Sequence, residues 1–339
     1  MVMAKPDVLL IGEVTHARKE YNQLSEYANL IQRTSDKNDR AQFMADCKTK
    51  YRNVVAIYRL NNTDYTGRFD EELCNALPPS LKFICHNGAG YDNIDPPALK
   101  ARGIVFSNTP GAVDAPTADV AFFMMLGCFR NFYKAMLHTR RGEWRGDTGL
   151  AHDPEHKVLG ILGMGGIGRA LAKRAAAFDM DIIYHNRNKL PKEEEAGARW
   201  VSFDELLATA DCLSLNLPLN KHTRHIISHE EIGKCKKGVI IINTARGPVL
   251  DEQALVDGLA SGQVGNAGLD VFENEPEIHP ELLKNDKVFL LPHIGTGTIE
   301  SQYNMEMVVI NNIKSALTRG VLETPIAELK EIANAHKTV

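Results

Sequence analysis

Short apolar runs alternate with helical patterns along the first third of the chain. The runs are VLLIG (8–12), VVAIY (54–58), LKFIC (81–85) and GIVFSN (103–108). Strands separated by helical segments predict parallel βαβ units. The texture then changes. From Ala115 to about Trp144 apolar residues recur at helical spacing, and the stretch TADVAFFMMLGCFRNFYKAMLHTRRGEW contains no proline. This predicts one helix much longer than the average of about eleven or twelve residues, ended by the Gly-, Asp- and Pro-bearing loop 146–156. A second alternating series follows at 157–162, 181–186, 211–217, 238–243, 265–271 and 287–292, and a last helical pattern runs from Thr298 to Arg319.

Composition narrows the class. A chain of 339 residues predicts about two domains. With 44% apolar and 24% charged residues it excludes a disordered, collagen-like or disulfide-scaffold protein. The net charge of -4 offers no basic footprint for nucleic acid or an anionic membrane surface. Six scattered cysteines form no CxxC pair and read as reduced, buried thiols of an intracellular protein. The N-terminal apolar run is too short for a signal peptide core, and Val120–Phe129 is about half the length of a membrane helix. A cytoplasmic protein is expected.

Chemistry enters at GMGGIG, Gly163 to Gly168, which follows the predicted strand KVLGIL and opens the helical stretch RALAKRAAAF. In that context Gly163, Gly165, Gly166 and Gly168 form a turn tight enough for the backbone to approach a pyrophosphate lying on a helix N-terminus. The end of the next strand reads Tyr184-His185-Asn186-Arg187. Asn186 stands where NAD-binding versions place an acid for the ribose 2′-hydroxyl, and the Arg187 guanidinium suits a 2′-phosphate. NADP(H) is favoured, with NAD(H) the alternative.

Three further segments place special residues at predicted strand ends, where ligand crevices form in open α/β sheets. INTARGPVLDEQAL carries Arg246, AGLDVFENEP carries Asp270 and Glu275, and LLPHIGTGT carries His293. With the earlier GAGYDNIDPPALKARGIVFSNTPG (88–111), this ordered set resembles the D-isomer-specific 2-hydroxyacid dehydrogenase family, most closely its glyoxylate/hydroxypyruvate reductase branch. The match spans about Val54 to Leu317.

The resemblance implies two Rossmann-like, doubly wound parallel-sheet domains with an active-site cleft between them. Residues 1–111 and 297–339 would form the substrate domain, and 112–296 the dinucleotide domain. It implies reduction of a 2-oxo acid to the D-2-hydroxy acid. His293 would be the proton donor, a role suited to imidazole, Glu275 would hold its tautomer, and Arg246 would grip the carboxylate and polarise the carbonyl. Backbone amides at Ala89 and Gly90 would bind the substrate carboxylate. By the same match Gly166 and Ile167 meet the pyrophosphate, and Leu217, Pro218 and Thr223 flank the adenosine side. Thr244, Ala245 and Arg246 lie on the nicotinamide side, and Asp270 bonds the carboxamide. The long helix after Ala115 is the family's dimer element. Its residues Phe122, Phe123, Met124, Met125, Phe129 and Phe132 exceed what one helix face buries internally, so a homodimer is expected.

Other readings are weaker. His222, His225 and His229 have spacings that suit zinc on one helix. However, Ser228 with Glu231 reads as a capping box, which starts the helix too late for the first two. No metal site is expected. No Tyr-x-x-x-Lys pattern supports short-chain dehydrogenase chemistry. The rival of another class is a dinucleotide-sensing, corepressor-like binding protein with this fold.

Overall fold

A computed structural model describes residues 5–33, 39–61 and 65–335. The chain divides into two compact units, Met1–Val113 with Thr298–Val339, and Asp114–Gly297. Each is an α/β unit built on a wholly parallel sheet.

In the first unit the strands are β1 (Asp7–Ile11), β2 (Asn29–Arg33), β3 (Val54–Leu60), β4 (Phe83–Asn87) and β5 (Val105–Ser107), ordered β2-β1-β3-β4-β5. Period-two alternation sends Leu9, Ile11, Ile57 and Ile84 to one face, against Phe43, Phe69 and Leu73. Val8, Leu10, Ala56 and Cys85 go to the other face, against Val309, Ile310 and Ile313 of the helix Ile299–Arg319. Both faces are covered, as parallel sheets require. Strand β2 is the one the pattern missed. It is an edge strand, half exposed, and NLIQR lacks the apolar density of its neighbours.

The second unit has β6 (Val158–Leu162), β7 (Asp181–His185), β8 (Arg199–Trp200), β9 (Cys212–Leu215), β10 (Val239–Asn243), β11 (Val264–Leu269) and β12 (Val288–Leu290). Their order is β12-β11-β10-β9-β6-β7-β8. The winding reverses between β6 and β9, the switch point at which such sheets open a ligand crevice.

One expectation is corrected. The apolar pattern after Ala115 is two helices, Asp114–Phe129 and Phe132–Arg140. Asn131 between them takes a left-handed backbone, φ 53°, which asparagine tolerates better than most residues. Asn266 on β11 holds the break, donating to the Cys128 carbonyl at 2.7 Å and to the Asn131 side chain at 3.0 Å. The same region corrects the count of outward apolar residues. Met124, Met125 and Phe129 are buried within this unit, while Phe123 and Phe132 are exposed.

The capping box at Ser228 is present, and the helix it starts runs His229–Lys234. His222 and His225 therefore precede it, and the Nε2 of His225 lies 2.9 Å from a Glu273 oxygen. Among the described residues no helix is long and apolar enough to cross a membrane, and no three metal-capable side chains cluster.

Candidate active site

The Gly-rich turn leaves β6 and enters the helix Gly166–Ala176. Gly163 has φ 98°, and a side chain there would press on the Asn216 carbonyl at the end of β9, 2.7 Å away. A Cβ on Gly168 would fall 2.5 Å from the Gly163 carbonyl, so this helix packs against its own entry turn. At Gly165 an added Cβ would meet nothing within 4 Å. The turn is therefore closely packed beneath and open at Gly165, beside the helix amides, which fits a pyrophosphate. Ile167 packs into the core behind it, and Leu217 lies over Gly163. The Thr223 hydroxyl donates to the Pro218 carbonyl at 2.6 Å and closes the turn after β9.

Asn186 stands just past β7, and its side-chain oxygen accepts the Met164 amide at 2.7 Å. Trp200 donates to the Asn186 carbonyl at 3.2 Å. The residue in the acid's place thus braces the Gly-rich turn, and Arg187 beside it is exposed.

At the end of β10 the Asn243 side chain accepts from the Ala245 amide and donates to the Arg246 carbonyl, both at 3.0 Å. This fixes the turn that presents Arg246, whose Nη1 donates to the Ala245 carbonyl at 2.8 Å. Thr244 is buried with no hydrogen-bond partner on its hydroxyl. An unpaired buried hydroxyl is costly, and at the expected nicotinamide side it is a donor waiting for a ligand. Gly247 admits no substituent, because a Cβ would collide with the Phe272 carbonyl and the Glu273 amide. Glycine there lets the Arg246 turn lie directly on the loop that carries Glu275.

Asp270 directly follows β11 and accepts the amides of Ile294 and Gly295, both at 2.8 Å. Burial raises its pKa, and these two amides oppose that only in part. Between β12 and that anchor, His293 holds a left-handed backbone, φ 55°. This conformation is uncommon outside glycine and concentrates at functional sites. The Nδ1 of His293 meets Glu275 Oε2 at 2.8 Å, and Glu275 Oε1 accepts the Phe272 amide at 3.0 Å. An ionised carboxylate only accepts, so Nδ1 carries the proton and Nε2 is left for chemistry.

Burial pushes the Glu275 carboxyl up. The His293 hydrogen bond, the Phe272 amide, and the charges of His293 and Arg246 outweigh that and hold it below the ordinary glutamate value. Its charge therefore survives acidification past that value, and the pairing is lost only as pH falls through the lowered pKa.

Sequence reasoning missed two supporting carboxylates. The buried Glu252 accepts the Glu273 amide at 2.8 Å, while Glu273 accepts the Glu252 amide at 3.0 Å. This reciprocal grip ties the loop before Glu275 to the helix Glu252–Ser261. The doublet Asp251-Glu252 was the available signal, because the first acid caps the helix and leaves the second without a local duty.

In the first unit the loop after β4 carries Ala89 and Gly90. Three successive carbonyls are anchored there. The Thr109 amide donates to Gly88 at 3.1 Å, the Asn108 side chain to Ala89 at 2.8 Å, and the His86 ring meets Gly90 at 3.1 Å. The Nδ1 of His86 lies 2.9 Å from the buried Arg59 guanidinium, which only donates, so His86 gives its Nε2 proton to Gly90.

A family model described as D-isomer specific 2-hydroxyacid dehydrogenase, NAD binding domain, matches residues 122–295. The chain is 54% identical over 329 residues to 4-methyl-2-oxopentanoate reductase A of Aspergillus oryzae, covering 96% of this chain and 99% of that one. The crystal structure of a glyoxylate reductase from Paecilomyes thermophila superposes with a TM-score of 0.94 at 55% identity, covering 96% of this chain and 99% of that one. An NADPH-dependent glyoxylate/hydroxypyruvate reductase from Sinorhizobium meliloti, solved with NADP and malonate, superposes at 0.83 with 28% identity, covering 96% and 98%. The chain belongs to the D-isomer-specific 2-hydroxyacid dehydrogenase family, enzymes that pass a hydride between a nicotinamide cofactor and a 2-oxo or 2-hydroxy acid.

Proposed function

We propose that this protein is an NADPH-preferring reductase of small 2-oxo acids such as glyoxylate, hydroxypyruvate or a bulkier, branched 2-oxo acid, giving the D-2-hydroxy acid. The observation that carries the reading is the His293–Glu275 pair held beside a strained backbone, with Arg246 close enough to act on the same carboxylate.

When bound, the nicotinamide supplies the hydride that reaches the carbonyl carbon. His293 Nε2 gives its proton to the carbonyl oxygen as that oxygen gains charge. Glu275 stabilises the charged ring before transfer and keeps Nδ1 protonated after it. Arg246 holds the substrate carboxylate and polarises the carbonyl. In the other unit the amides of Ala89 and Gly90 are the carboxylate donors that the resemblance implies. Thr244, Ala245 and Asp270 line the nicotinamide side. The turn at Gly163, Gly165, Gly166, Ile167 and Gly168 receives the pyrophosphate, and Leu217, Pro218 and Thr223 the adenosine side. The sensor reading would keep the dinucleotide site, and reduction of a panel of 2-oxo acids separates the two. Absence of turnover across the panel with tight dinucleotide binding would remove the enzyme reading.

The preference for NADPH rests on Asn186, which adds no charge to repel a 2′-phosphate, and on the exposed Arg187 beside it. Arg187→Ala is expected to raise KM for NADPH about tenfold, the loss of one charge-assisted hydrogen bond, with KM for NADH nearly unchanged. Equal changes would remove the 2′-phosphate role.

A homodimer is supported by exposed Phe123, Phe132, Met136, Trp144 and Leu150, an unusual cluster of outward apolar side chains in one stretch of chain. Light scattering is expected to read twice the chain mass, and a monomer at micromolar concentration would exclude it. Six buried cysteines, none of them in a disulfide, support a reducing compartment such as the cytosol.

The domain division proposed from the motifs assigns residues 1–111 and 297–339 to substrate binding and 112–296 to the dinucleotide.

A further inference from the structure

We propose that Asn108 is a positioning residue for substrate binding: it holds the Ala89 carbonyl and thereby aims the Gly90 amide at the substrate carboxylate. The inference rests on the proposed role of Gly90 as a carboxylate donor.

A trans peptide is planar, with its C=O and N–H pointing to opposite sides. Fixing the carbonyl of residue i therefore fixes the direction of the amide of residue i+1. Asn108 Nδ2 donates to the Ala89 carbonyl at 2.8 Å, which turns the Gly90 N–H away from β5 and its following segment. The Thr109 amide donates to the Gly88 carbonyl at 3.1 Å and does the same for the Ala89 N–H. Two consecutive amides are thus aimed by two consecutive residues. Thr109 acts through its backbone, which most residues would reproduce, whereas Asn108 acts through its side chain.

Asn108 is itself tied down. Its carbonyl accepts the Thr324 hydroxyl at 2.7 Å, and Thr324 Oγ1 accepts from the buried Asn312 at 3.0 Å. Asn312 also takes the Glu323 and Thr324 amides, at 2.8 and 3.1 Å. A hydrogen-bonded line therefore runs from the helix Ile299–Arg319 to the Ala89 carbonyl, and Asn108 is the link that reaches the loop. Aspartate would set an acceptor against that carbonyl, and alanine would leave the peptide free to rotate.

The test is a cycle of two changes. Asn108→Ala removes the anchor, and an amide-to-ester exchange at Gly90, made by incorporating glycolate, removes the Gly90 N–H and weakens the Ala89 carbonyl as an acceptor. Each is expected to raise KM for the 2-oxo acid about tenfold, the scale of a hydrogen bond to a charged group. The value of kcat, KM for NADPH and the melting temperature are expected to stay close to wild type. In the ester background Asn108→Ala is expected to add less than twofold, because the donor it aims is already gone. A full tenfold rise in that background would overturn the positioning role while leaving Gly90 as a donor. An ester with unchanged KM would overturn the carboxylate role of Gly90, and the proposal with it. A fall in kcat and NADPH binding without a change in KM for the acid would mark Asn108 as merely structural and overturn the proposal. If Asn108→Ala does not fold, Asn108→Gln keeps the donor one methylene displaced and is expected to give an intermediate KM in the same cycle.

Discussion

His293→Ala is expected to lower kcat for 2-oxo acid reduction by about a thousandfold, the middle of the range for losing a positioned general acid. Dissociation constants for the dinucleotide should remain within about twofold of wild type, because the cofactor contacts on this reading (the Gly-rich turn, Arg187, the segment after β9, Thr244–Ala245 and Asp270) do not include the His293 ring. Single-turnover reduction, with nucleotide fluorescence to read binding, separates the two. The strain at this position sharpens the expectation. The His293 ring is tethered at Nδ1 by Glu275, and its left-handed backbone is followed by two amides locked on Asp270. Water admitted in place of the ring would be neither oriented nor charged. Turnover within tenfold of wild type would show that the alkoxide takes its proton elsewhere.

Arg246→Ala is expected to cost a few hundredfold in kcat/KM, comparable to removing one donor from an oxyanion site. Arg246→Lys should recover little of it. A planar guanidinium can hold the Ala245 carbonyl with one nitrogen and present the rest as a fork to a carboxylate, and a single ammonium cannot do both. Steady-state kinetics with acids of increasing size checks this. A lysine variant near wild type would show that only charge is needed there. Binding of an unreactive dicarboxylate should weaken in parallel with the loss of activity, since ground state and transition state share the carboxylate.

Much of this architecture was legible in the sequence because parallel strands buried on both faces read as short apolar runs, and because glycine at a tight turn has no substitute. GMGGIG and the segments bearing Arg246, Asp270, Glu275 and His293 sit at strand ends, where a side chain is released from packing and its type becomes informative. The edge strands β2 and β8 escaped notice because one is half solvated and the other is two residues long. The break at Asn131 escaped because its cause lies on β11, about 135 residues away in sequence at Asn266. Helical spacing runs straight through a break made by tertiary contact. Separations of 24 and 22 residues likewise hid the grip of Asp270 on the loop of His293 and the bracing of the Gly-rich turn by Asn186.

The reciprocal grip of Glu252 and Glu273 has a consequence for how such a chain can vary. Neither acid touches the reacting groups, and each satisfies the backbone of the other across 21 residues of sequence. Shortening one to aspartate strands the amide of the other residue and leaves the second bond in place, so the penalty falls on the partner's backbone. Each acid is therefore expected to be kept for the other's backbone rather than for its own. The loop leading to Glu275 would then be inherited together with the helix Glu252–Ser261 as one transferable block.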